Sequence, residues 1–69
     1  MYNIKKELDG IGMSIKDYSS FLGVSEKTAH NKLYGKTAFT YPEAEKTQKI
    51  LFPHYNIQYL FSETTNRPA

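Results

Sequence analysis

Cysteine is absent from this 69-residue chain. No disulfide and no cysteine-based zinc site can staple it, and two separated histidines, His30 and His54, do not make a metal site on their own. Long apolar runs are absent as well. Nothing approaches the roughly 20 residues that a membrane span needs, and the opening MYNIKKELDG has no apolar signal-peptide core. Both absences fit a cytoplasmic, reducing location with no membrane partner. Catalytic constellations are missing too: there is no activated-nucleophile pattern, no paired histidine and no glycine-rich phosphate loop after a strand. Neither an enzymatic role nor a cofactor is expected. A chain this short buries only about 60% of its unfolded surface, so one domain of marginal stability is expected. Its core must come from apolar packing, helped by self-association. The six Tyr and four Phe supply large apolar surfaces for both.

The formal charge of +2 is mild, but its distribution is uneven. From Lys27 to Lys36 there are three Lys, one His and no acid, whereas Glu7, Asp9, Asp17 and Glu26 precede this stretch and Glu43, Glu45 and Glu63 follow it. A local basic stripe on a near-neutral domain is the electrostatic footprint of a nucleic-acid surface, and a solvated helix face is the plainer reading of the same stripe.

The apolar spacing is helical throughout, and no stretch alternates with period two. A first helix is expected from about Tyr2 to Asp9, with Ile4, Leu8 and Ile11 in one stripe and Gly10 and Gly12 breaking it. Ser14 is a good N-cap for a second helix, with Asp17 completing a variant capping box. Ile15, Tyr18, Ser19 and Leu22 share a face, Gly23 ends the helix in the left-handed conformation, and Val24 fills the gap beyond it. Ser25 caps a third helix, with Thr28 three residues on. Ala29 and Leu33 face inward there, while Lys27, His30, Asn31 and Tyr34 face outward and Gly35 stops the helix. Phe39 anchors the loop 36–40. Thr40, Pro42 and Glu43 start a fourth helix with Tyr41 packed inward, and Ala44, Thr47, Ile50 and Leu51 continue its inner face up to Pro53. A short last helix, about 56–62, docks through Ile57, Leu60 and Phe61. The expectation is an all-α, compact four- to five-helix domain over residues 1–62, with a polar, frayed tail at 63–69.

Two short helices joined at Gly23-Val24, the second of them basic and amide-bearing, form a device that enters the DNA major groove. The chain resembles the lambda-repressor-like helix–turn–helix family, which includes phage Cro and repressor DNA-binding domains. The resemblance runs from about Ile4 to Phe61. Its strongest stretches are Leu22-Gly23-Val24-Ser25, then Asn31-Lys32-Leu33-Tyr34-Gly35-Lys36-Thr37, then Phe39-Thr40 with Glu43, and Ile57-Gln58-Tyr59-Leu60-Phe61 looks like the family's fifth helix.

The resemblance implies a sequence-specific regulator of phage or bacterial type, at work on the host nucleoid, with a recognition helix at about 26–34 in the major groove of double-stranded DNA. It sets Ser25, Glu26 and Lys27 at the reading end of that helix, with Asn31 one turn on and Lys36 as a phosphate contact. Beside these, Thr28 is a further candidate for DNA contact, His30 is a surface residue or phosphate neighbour, and Tyr34 either touches the DNA backbone or merely covers Leu33. The chemistry suits these roles: Asn pairs with adenine N6 and N7, Lys with guanine O6 and N7, and Glu accepts from cytosine N4. The first turn of the second helix, at Ser14 and Lys16, is placed to hold a phosphate. Two positions depart from the pattern. Ile15 stands where many members have a phosphate-clamping Gln, and Ala29 stands where many have Ile or Val, so larger neighbours such as Tyr18 or Phe21 must fill the space. A homodimer on two half-sites is the implied assembly. The alternative from another class is an antirepressor, which binds a repressor protein and masks its DNA surface. The mild charge, the acid at Glu26 and the many aromatics suit that alternative.

Overall fold

Local capping chemistry sets where the helices of this chain begin and end. The computed structural model describes residues 1–63. Among them the chain forms five helices and no strand: α1 (Asn3–Gly10), α2 (Ile15–Leu22), α3 (Glu26–Leu33), α4 (Tyr41–Leu51) and α5 (Ile57–Leu60). Ser14 Oγ accepts from the Asp17 N–H while Asp17 reaches back to the Ser14 N–H, and Thr40 and Glu43 make the same reciprocal box at α4. Ser25 caps α3 through the Thr28 N–H, and Asn56 caps α5 through the Gln58 N–H.

The exits are as local as the entries. Beyond α2, Gly23 has φ +79°, its N–H bonds the Ser20 carbonyl and the Val24 N–H bonds that of Ser19. Beyond α3, Gly35 has φ +82°, and the Gly35 and Lys36 N–H groups bond the Lys32 and Asn31 carbonyls. Both are Schellman turns, which need a left-handed residue that any side chain would strain. The end of α1 repeats the pattern through Gly12 and Met13. Gly10 therefore lies within α1, and Gly12 ends it.

The core joins Ile4 and Leu8 of α1, Tyr18 of α2, Leu33 of α3, Phe52 and Leu60, with Ala29 and Ala44 also buried. Aromatic rings surround it. Phe39 packs on Phe61 at 4.7 Å, Tyr2 at 5.9 Å and Tyr18 at 6.5 Å between ring centroids, so it does anchor the loop after α3. Tyr18 stacks on Phe21 at 5.9 Å and is fully buried. Its hydroxyl meets Thr47 Oγ1 at 2.7 Å. Thr47 spends its own proton on the Glu43 carbonyl, so Tyr18 is the donor in that pair. Burial pushes the Tyr18 phenol up to about 12. The N-terminal segment closes the fold: the Tyr2 N–H bonds the Leu33 carbonyl, and the Asn3 N–H bonds that of Ser62. The radius of gyration, 11.4 Å, matches the about 11 Å expected of a compact chain of this length.

Three apolar residues expected inside lie outside. Ile11 is 55% exposed, because the turn through Gly12 brings Met13 back over Leu8 in its place. Ile50 is 61% exposed: neighbours on a helix differ by about 100°, so Ile50 and Leu51 cannot both face inward. Tyr41 is 71% exposed, since Phe39, two residues earlier, already fills the inner position. Of the expected tail, Glu63 is described and forms an isolated antiparallel bridge with Tyr2, its carboxylate 3.0 Å from the Met1 amino group. Residues 64–69 lie outside the described residues.

Candidate nucleic-acid interface

Helices α2 and α3 make the most extensive helix–helix contact in the chain, across the turn Gly23-Val24-Ser25. Ala29 and Leu33 are fully buried in that contact and fix the inner side of α3. Its opposite side then follows from the helical period: Lys27 and Asn31, four apart, point away from the core, flanked by His30 and Tyr34. Lys27, His30 and Tyr34 are exposed, and Asn31 is half-buried with no hydrogen-bond partner for its amide among the described residues. The His30 imidazole stacks on the Tyr34 ring, with centroids 4.4 Å apart and planes 30° from parallel. Tyr34 thus lies along His30.

Ser25 and Thr28 are engaged with each other. The Ser25 hydroxyl accepts from the Thr28 N–H at 3.1 Å and donates to Thr28 Oγ1 at 2.9 Å. Its proton is committed to the cap, so the expected reading role of Ser25 reduces to a remaining lone pair, while Thr28 keeps its hydroxyl proton for an outside acceptor. Glu26 is exposed in the first turn of α3, where the helix dipole favours an acid. Lys16 is exposed in the first turn of α2, whose leading N–H groups have no intrahelical acceptor. Lys36 is exposed immediately past the Gly35 turn.

The pairing of charges separates these residues from the rest of the surface. Lys5 bonds Asp9, Lys49 pairs with Glu45, and Lys46 donates to the Phe21 carbonyl at 2.8 Å with its ammonium 4.7 Å from the Phe21 ring centroid. Among the described residues, Lys6, Lys16, Lys27 and Lys36 have neither ion pair nor hydrogen bond through the ammonium. Three of these four stand at the start of α2, the start of α3 and the exit from α3. The acids mirror this: among the described residues each has a partner except Glu26.

One lysine of the expected stripe is elsewhere. Lys32 is buried, its ammonium 3.0 Å from both the Glu43 carboxylate and the Ala38 carbonyl. It follows the inward Ala29 by three residues and so shares that side of the helix, which is the sequence signal for its burial. Burial pushes the Glu43 carboxyl up, but the Thr40 N–H and the Lys32 ammonium outweigh it and hold the group below its ordinary value. Among the described residues no group of three or more His, Asp or Glu is placed to hold a metal ion, and no helix is long and apolar enough to cross a membrane.

A groove of about 530 Å³ lies between the start of α4 and α5. Tyr2, Phe39, Tyr41, Ile57 and Phe61 give it an apolar lining. No protein family, no curated protein and no solved structure matches this chain.

Proposed function

We propose that this protein is a small sequence-specific DNA-binding regulator of the lambda-repressor-like helix–turn–helix type, with α3 entering the major groove of duplex DNA. The observation that carries this reading is the set of unpaired lysines at the start of α2, the start of α3 and just beyond α3. A surface of this kind releases counterions from DNA and so binds with strong salt dependence. Within it, Lys27 and Asn31 are the base readers, and Lys16 and Lys36 are phosphate contacts. Glu26, which has no partner among the described residues, excludes sequences that offer it no donor and accepts from a cytosine amino group where one is present. No catalytic role is assigned to any residue. One such module makes few contacts, so the working form is a homodimer on half-sites about 34 Å apart.

The apolar groove favours a second reading, in which the domain is an antirepressor that docks a repressor protein through this surface. Selection from a random duplex library with wild type and Lys27→Ala in parallel separates the two readings. An enriched motif that is altered by the substitution supports the reader, and its symmetry reports the dimer. No enrichment at low salt rejects DNA binding in favour of the protein partner.

A further inference from the structure

The buried Lys32 has no part in the proposed contacts with DNA, yet it touches the elements that hold one of them. Its side chain is 11% exposed and that of Glu43 is 20% exposed. The ammonium donates to Glu43 Oε1 and to the Ala38 carbonyl, each at 3.0 Å, and lies 5.8 Å from the Phe39 ring centroid. The same Glu43 oxygen accepts from the Thr40 N–H at 2.9 Å. The loop from Lys36 to Thr40 is therefore held at three points. At its start, the Lys36 and Thr37 N–H groups share the Asn31 carbonyl, at 2.8 and 3.3 Å. At its end, Thr40 and Glu43 form the α4 cap. At its middle, Lys32 draws in the carbonyl of Ala38. A buried ion pair is a poor source of net stability, because desolvation offsets the attraction, but it is demanding about geometry. Here that geometry governs the segment carrying Lys36.

We propose that Lys32 is a positioning residue: inserted between the Ala38 carbonyl and the Glu43 carboxylate, it fixes the loop that presents Lys36 to a DNA phosphate. The proposal rests on the DNA-binding reading above and adds to it a residue that never meets the nucleic acid. Lys32→Met keeps the apolar stem and removes the donors. Should it fail to fold, Lys32→Met with Glu43→Gln removes the pair without leaving a lone charge and keeps an acceptor for Thr40.

The experiment measures duplex affinity across a salt series for wild type, Lys32→Met, Lys36→Ala and the double variant Lys32→Met/Lys36→Ala, with amide hydrogen exchange on the free proteins. Lys36→Ala is expected to lower the salt slope by about 1, and Lys32→Met by a similar amount although Lys36 is still present. The double variant should also lose about 1, not 2, because both substitutions remove the same contact. Exchange at the bonded amides of Lys36, Thr37 and Thr40 should speed up in Lys32→Met while that of the α1 amides stays as in wild type. A Lys32→Met slope equal to wild type, a double variant that loses about 2, or unchanged exchange at the loop would each overturn the proposal and leave a structural ion pair. A wild type without salt-dependent duplex binding rejects the DNA reading, and this proposal with it. A normal wild-type slope that survives Lys32→Met rejects this proposal alone.

Discussion

The α2–α3 surface and the α4–α5 groove are finished in opposite ways. On the first, among the described residues, lysines stand without counter-ions at Lys16, Lys27 and Lys36, beside an unpartnered Asn31 amide and the unpaired Glu26. On the second, the lining is the exposed ring of Tyr41 with the half-buried Ile57 and Phe61, bordered by Thr40, Gln58 and Ser62. Between them the remaining charges are mostly satisfied within the fold: Lys5 with Asp9, Lys32 with Glu43, Lys49 with Glu45. The contrast teaches that the two surfaces answer different variables. Association through unpaired lysines weakens as salt rises. Association through an apolar groove tolerates salt and shows itself as a negative heat-capacity change. On the proposed reading the first surface meets DNA and the second is left to a protein partner, so the two responses can be measured apart.

The largest expected effect abolishes the contrast altogether. Leu33 is fully buried under α3, and its carbonyl receives the N–H of Tyr2, a residue that lines the groove. Leu33→Ala should destabilise the fold by about 2–5 kcal/mol, a large share of the margin of so small a domain. Both surfaces should lose their shape together in a denaturant titration followed by circular dichroism. Next in size is an alkaline transition. Tyr18 is held to about 12 by burial, against 10 for a free phenol. A group whose folded value is raised stabilises fully below the unfolded value, so this contribution is intact below pH 10 and is lost as pH climbs from 10 to 12. The loss amounts to about 3 kcal/mol. Tyr18→Phe should flatten that part of the stability–pH curve, measured by urea unfolding at each pH.

A smaller change touches one surface only. Asn31→Ala should cost about 1–3 kcal/mol of duplex affinity and relax preference at one base pair, while stability stays within about 0.5 kcal/mol. Binding competitions with single-base variants of the selected site test this. Unchanged affinity and preference would remove Asn31 from the readers and leave the surface as a purely electrostatic one.

What was legible in the sequence follows the range of the interactions. The caps at Ser14, Ser25 and Thr40 and the turns at Gly23 and Gly35 depend on partners within five residues, so their chemistry is written locally and the helices begin and end close to where it puts them. Lys32 read as part of a solvent-facing stripe because its partners, Ala38 and Glu43, lie 6 and 11 residues away. Ile50 and Tyr41 were misplaced for a related reason. Periodicity names a face but leaves open which of two apolar residues, one or two positions apart, occupies it, and only the packing of Phe39 and Leu51 decides. Within the candidate site, the outward direction of Lys27 and His30 followed from the inward pair Ala29 and Leu33. The further bond from the Ser25 hydroxyl to Thr28 Oγ1 did not, because each residue type is also a competent contact for DNA.

The smallest expected effect is the sharpest test of the separation itself. Tyr41 is exposed at the edge of the groove, makes no ring contact and bears no charge. Tyr41→Ala removes apolar surface from the groove without a cavity in the core, so stability should move by no more than about 0.5 kcal/mol. The salt slope of duplex binding should stay at its wild-type value, because no phosphate contact is altered. Self-association or capture of a protein partner, followed by sedimentation, should weaken if the groove is a working surface. A Tyr41→Ala protein that loses salt-dependent duplex binding while it stays folded and keeps the oligomeric state of wild type would show that the two surfaces are one, since the loss could then come neither from unfolding nor from a broken dimer.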